Sequence, residues 1–130
     1  EKLIYFAVKS YAPNYGVVKY REAEVDSFID ESHILKFGNS ELKSMHIPGH
    51  APGHFIFYNE KQNICIGGDV LFQGSIGRTD LPGGDHNTLI SGIREKMFRL
   101  DGKMIVYPGH GPATSIEQEK KHNPFVGNNA

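Results

Sequence analysis

From residue 33 onward, short apolar runs are separated by Gly, Pro and Asn. Ile34-Leu35-Lys36-Phe37 and Leu42-Lys43-Ser44-Met45 flank Gly38-Asn39-Ser40, a pattern that predicts a β-hairpin. A second hairpin is predicted where Phe55-Ile56-Phe57-Tyr58 and Asn63-Ile64-Cys65-Ile66 flank the polar turn 59–62. Both strands of that pair are continuously apolar, as expected where sheet faces are covered. Asp85 is a natural N-cap for a helix over 86–100, with Leu89, Ile93, Met97 and Leu100 on one stripe. Met104-Ile105-Val106-Tyr107 predicts a short buried strand. Thr114-Ser115-Ile116-Glu117 matches a capping box opening a last helix, which stops before Asn123-Pro124. Upstream, Leu3 to Val8 is apolar with no period that separates helix from strand, and Pro13, Asn14 and Gly16 break that element. The order hairpin, hairpin, helix, strand, helix predicts an α/β fold with helices against one side of a mixed sheet.

Composition narrows the setting. The 130 residues fit one domain, 1–130, and the 14 basic and 15 acidic side chains make no broad field for nucleic acid or an anionic membrane. No apolar run approaches the roughly 20 residues of a membrane span. Glu1-Lys2-Leu3-Ile4-Tyr5-Phe6 lacks the basic region and longer apolar core of a signal peptide. Cys65 is the only cysteine, so no internal disulfide forms, which suits a reducing, cytoplasmic location. Set between Ile64 and Ile66, it reads as core packing.

The chemistry concentrates in Gly/Pro-rich turns. Pro48-Gly49-His50-Ala51-Pro52-Gly53-His54 and Pro108-Gly109-His110-Gly111-Pro112 each follow a β-like run, and Ile66-Gly67-Gly68-Asp69-Val70 lies between them. Imidazole and carboxylate are what a zinc-class ion takes from a protein, and glycine lets backbone approach closely. His50, Asp69 and His110 therefore read as parts of one metal centre. His50 and His54 share the i, i+4 spacing of helical zinc ligands, but the surrounding prolines and glycines rule out a helix. One histidine then faces the ion while the other fixes the loop. Asp69 has two readings, a turn cap or a carboxylate bridging two cations; two metals about 3.5–4 Å apart activate water near neutral pH. Gly74-Ser75-Ile76-Gly77-Arg78-Thr79-Asp80 presents one guanidinium, either solvated or suited to holding a substrate carboxylate. Leu81 to Gly84 precedes a helix, but Asp85 would fill the positive end that an anion would need. His33, His46, His86 and His122 lack the Gly/Pro setting and read as structural or surface residues.

On these residues the chain resembles the metallo-β-lactamase superfamily, in particular its glyoxalase II-like (hydroxyacylglutathione hydrolase-like) branch. The likeness runs over about residues 28–125 and rests on Ile47-Pro48-Gly49-His50-Ala51-Pro52-Gly53-His54, Gly68-Asp69-Val70-Leu71-Phe72, Gly77-Arg78-Thr79-Asp80 and Tyr107-Pro108-Gly109-His110-Gly111. The resemblance implies an αββα sandwich with a binuclear site at the sheet edges. By that match His50 binds the first metal, His110 the second, Asp69 bridges them with zinc as the default ion, iron or manganese being alternatives, and His54 supports its loop. Asp69 stands where true zinc β-lactamases generally carry cysteine or serine, which disfavours antibiotic hydrolysis. Arg78 falls where glyoxalase II enzymes place a lysine that contacts glutathione, whereas Asp80 replaces their substrate-binding tyrosine.

The family's earlier His-x-His-x-Asp-His motif occurs nowhere in the 130 residues. The chain thus resembles the C-terminal 60% or so of the domain, with one histidine and a share of Asp69 for each metal. Catalytic zinc takes about three protein ligands. The expectation is a fragment of a metal-dependent hydrolase in which metal-held hydroxide attacks a glutathione-type thioester, inactive by itself. Its apolar sheet faces would need a missing N-terminal segment or another copy as cover. The rival expectations are an iron-dependent persulfide dioxygenase and a non-catalytic binding or assembly module.

Overall fold

The computed structural model describes residues 12–16, 19, 21 and 24–130. The apolar segment Leu3 to Val8 lies outside the described residues. Ala12–Tyr15 forms a 3-10 turn ended by Gly16, which takes a left-handed φ of 78°.

Both predicted hairpins form. Strands β1 (Ile34–Phe37) and β2 (Ser40–His46) pair antiparallel with Phe37 opposite Ser40, and β3 (Phe55–Asn59) and β4 (Ile64–Gly68) pair with Asn59 opposite Ile64. Two short strands that the hydrophobic pattern did not announce follow, β5 (Leu71–Phe72) and β6 (Ser75–Ile76), forming a separate two-stranded sheet. Two residues per strand are too few to show a period. Then come α1 (His86–Glu95), β7 (Ile105–Pro108), β8 (Thr114–Ser115) and α2 (Ile116–His122). The main sheet runs β1-β2-β3-β4-β7-β8, antiparallel except for the parallel β4–β7 pair.

Two helix boundaries differ from the expected ones. Asp85 caps α1 as expected, its side chain accepting from the Thr88 N–H, but the helix ends at Glu95 and a 3-10 turn covers Met97–Arg99. The tighter turn lets the adjacent Met97 and Phe98 both reach the core. The last helix starts one residue late. Thr114 pairs with Val106 in the sheet, and Ser115 caps α2 by accepting from the Gln118 N–H. Thr114 is therefore strand, not cap.

The helices cover one face of the sheet. Ile56, Cys65 and Val106 lie on that face and share a core with Leu89, Ile93, Met97 and Ile116. On the opposite face Phe57, Ile66 and Tyr107 stand in register, and Ile66 is 47% and Tyr107 50% exposed. The apolar run of β4 predicted cover on both faces; among the described residues only one has it. No described helix is long and apolar enough to cross a membrane.

Candidate metal centre

Strand direction assembles the site. β2, β4 and β7 all run the same way, so the loops after their carboxyl ends share one edge of the sheet. Ligand sites in open α/β sheets form at such edges. His50 follows β2, Asp69 follows β4 and His110 follows β7.

Each loop is tied to its neighbours. The Asp85 N–H donates to the Gly49 carbonyl at 2.8 Å, the Ile47 N–H to the His54 carbonyl at 2.9 Å, and the Gly109 N–H to the Gly68 carbonyl at 2.8 Å. The β4–β7 register shifts between Ile66 and Gly68, a bulge that re-aims the chain into Asp69. Gly68 sits at φ 52°, and a Cβ there would lie 2.6 Å from the His54 ring. A Cβ on Gly109 would strike the Asp69 carboxylate itself. Glycine at these two places leaves room for the acid and for the ring behind it.

Asp69 stands between the other two expected ligands. His50 Nε2 lies 3.6 Å from Asp69 Oδ2, and His110 Nδ1 lies 2.9 Å from Asp69 Oδ1. The His110 approach lacks hydrogen-bond alignment, and Oδ1 is buried with no hydrogen-bond partner. An unpaired buried carboxylate oxygen costs about 1–3 kcal/mol or more. Two imidazoles and that orphaned oxygen fit a cation in donor type. They do not close a complete set: among the described residues no three His, Cys, Asp or Glu side chains converge on one ion position. Each ring meets Asp69 from its own side.

His54 does not share the Asp69 carboxylate. Its Nε2 accepts the Asp69 N–H at 3.1 Å, so the ring is neutral with its proton on Nδ1. Burial holds the His54 pKa below the ordinary histidine value, and the nearby His50 acts in the same direction. The ring thereby links the first loop to the backbone of the second.

Arg78 is placed differently from an open carboxylate anchor. Its Nε and Nη2 each donate at 2.8 Å to the two oxygens of Asp80, and the pair is exposed. The guanidinium holds the Asp80 carboxyl at a pKa of about 2. The backbone carbonyl of Arg78 has a separate task that no sequence pattern shows: it accepts from His50 Nδ1 at 2.8 Å. That fixes the tautomer with a free Nε2 directed toward Asp69. His46 lies outside the cluster, its Nε2 donating to the Pro52 carbonyl at 2.7 Å, as expected of a structural residue.

The superfamily profile described as the metallo-beta-lactamase superfamily matches residues 3–110. The chain belongs to that superfamily. The match starts upstream of the residues 28–125 that carried the motif resemblance and ends on His110. Hydroxyacylglutathione hydrolase GloC of Haemophilus influenzae is 39% identical over 132 residues, covering 97% of this chain and 60% of the relative. Among solved structures, the BLEG-1 B3 metallo-beta-lactamase superposes with a TM-score of 0.83 at 40% identity, covering 92% of this chain and 57% of that one. TTHA1623 in a di-iron-bound form gives a TM-score of 0.82 at 34% identity, covering 94% and 59%. The chain thus spans about 60% of the length of such relatives. Membership places the chain in the metallo-beta-lactamase fold, which is associated with divalent metal binding. One neighbour is named for two bound irons.

Proposed function

We propose that this chain supplies the Asp69-centred part of a binuclear hydrolase that cleaves glutathione-type thioesters, with zinc as its ions and a cytoplasmic setting. The observation that carries the reading is the Asp69 carboxylate set between His50 Nε2 and His110 Nδ1, with a buried oxygen that has no hydrogen-bond partner. Kinship with GloC supports the thioester class. When bound, the ions supply Lewis acidity and lower the pKa of water toward neutrality.

The chain's own residues do the rest. Asp69 presents one oxygen toward each histidine and would hold the ions together with them. The Arg78 carbonyl keeps the proton of His50 on Nδ1, so the Nε2 lone pair would be available to a metal. His54 anchors the Asp69 backbone from beneath and remains neutral. The Arg78 guanidinium receives the substrate's acid end by exchanging Asp80 for it, one planar carboxylate for another. Three protein donors are about half of what two catalytic ions take. The isolated chain is accordingly expected to bind metal weakly and to lack turnover.

The test measures metal content and hydrolysis of a glutathione thioester on the product of the complete gene and on the isolated 130 residues. The complete product should turn over, and Asp69→Asn should abolish it. Full metal occupancy and turnover in the isolated chain would refute the half-set. Inertness of the complete, metal-loaded product toward thioesters, with β-lactam cleavage or oxygen uptake on glutathione persulfide instead, would refute the substrate class.

A further inference from the structure

We infer that Glu119 is a positioning residue for the metal-facing loops, acting with Asn123 on the β5–β6 hairpin. Glu119 is only 2% exposed, yet it has a carboxylate and no Lys or Arg partner among the described residues. Three donors satisfy it instead. Thr114 Oγ1 donates to Oε1 at 2.6 Å, and Asn123 Nδ2 and the Gly74 N–H donate to Oε2 at 2.7 and 3.0 Å. Asn123 Nδ2 also donates to the Ser75 carbonyl at 3.0 Å. Its Oδ1 accepts from the Phe125 and Val126 N–H groups, so the amide is held at both ends.

Gln73 and Gly74 form the tip of the β5–β6 hairpin, and Ser75 opens β6 opposite Phe72. Its base is closed by the Gly77 N–H on the Val70 carbonyl at 3.0 Å. Asp69 immediately precedes this hairpin and Arg78, whose carbonyl orients His50, follows it. Clamping the tip therefore fixes the acid and the imidazole-orienting carbonyl relative to each other. A buried carboxylate is a poor choice for stability, since an apolar side chain of similar volume packs there without desolvation. What it adds is direction: it can seize a turn N–H that an apolar group cannot.

The inference rests on the binuclear reading for its purpose, and the experiment separates the two. Nitrogen-15 NMR of the histidine rings in the metal-free chain reports the His50 Nδ1–H state; zinc titration reports affinity. Glu119→Ala should release the His50 tautomer signature and weaken zinc binding about 10–100-fold, the usual effect of losing outer-shell support. Glu119→Gln should restore both. Its carbonyl can take the Gly74 and Asn123 donors, while its amide donates to a rotated Thr114 hydroxyl. Asn123→Ala should act like Glu119→Ala because it also frees Ser75. Thr114→Val should lower only the melting temperature. A folded Glu119→Ala chain with the His50 signature unchanged would overturn the inference. If that chain does not fold, identical His50 signatures in Asn123→Ala and Thr114→Val would do so. Absence of zinc binding by the product of the complete gene would count against the binuclear reading alone, since the NMR comparison stands without metal.

Discussion

Replacing Gly68 with alanine should destabilise the chain by about 2–5 kcal/mol, and the size follows from two separable causes. Gly68 holds φ at 52°, where a Cβ costs about 1–2 kcal/mol in backbone strain. The same Cβ would sit 2.6 Å from His54 Cε1 and 2.7 Å from Nε2, so the ring must swing away. That breaks the 3.1 Å bond from the Asp69 N–H and strands a partly buried donor, at about 1–3 kcal/mol. Gly38→Ala isolates the first cause, because Gly38 has φ 56° with nothing within 4 Å of its would-be Cβ. It should cost only about 1–2 kcal/mol. Urea unfolding followed by far-ultraviolet circular dichroism measures both, provided the slopes match that of the unaltered chain. Equal losses for the two variants would refute the claim that the His54 ring holds the Asp69 loop.

Three further outcomes follow from the same geometry. Gly109→Ala should push the Asp69 carboxylate aside and weaken zinc binding at least about tenfold while moving stability by less than about 1 kcal/mol, as read by competition titration and urea unfolding; unchanged affinity would show that the carboxylate is not used. Asp80→Asn should free the Arg78 fork and lower KM for an acidic thioester about two- to fivefold in the complete product with kcat little changed, the modest size reflecting an exposed pair; a raised KM would instead make the Arg78–Asp80 pair the recognition unit. Cys65 is buried and its thiol is pushed up to about 12 from 9.0 by that burial, so at pH 8 its thiolate fraction falls about a thousandfold below an ordinary thiol. A disulfide reagent should label it at the rate of unfolding, with the folded thiol gaining reactivity only as pH climbs toward 12; fast labelling of folded chain would place Cys65 outside the core.

The divalent-metal superfamily is evident from three short loops, since Pro-Gly-His and Gly-Gly-Asp segments carry donor chemistry and local backbone freedom together. Glycine at 68 and 109 is a local symptom of a distant fact, the closeness of His54 and Asp69. The Arg78 side chain illustrates the opposite case. Its context suggested either a solvated cation or a carboxylate holder; the structure pairs its fork with Asp80 two residues on, and side-chain pairing of that kind depends on rotamers that no pattern of residue types specifies.

What the amino-acid order determined by itself was local: the turns at 38–40 and 59–62, the Asp85 cap, the stripe through Leu89 and Ile93, and which side chains can bind a metal. These rest on φ preferences, side-chain periodicity and donor type within a few residues. Tertiary structure decided everything that needed two distant segments in register. Parallel pairing of β4 with β7 brought Asp69 beside His110, sheet pairing of Thr114 moved the last cap to Ser115, and the hairpin tip found Glu119 from 45 residues away. Among the described residues it also left one sheet face apolar and exposed, because which face is covered depends on where the helices settle. Such contacts are fixed by the packing of the whole domain, and no window of neighbouring residues contains that information.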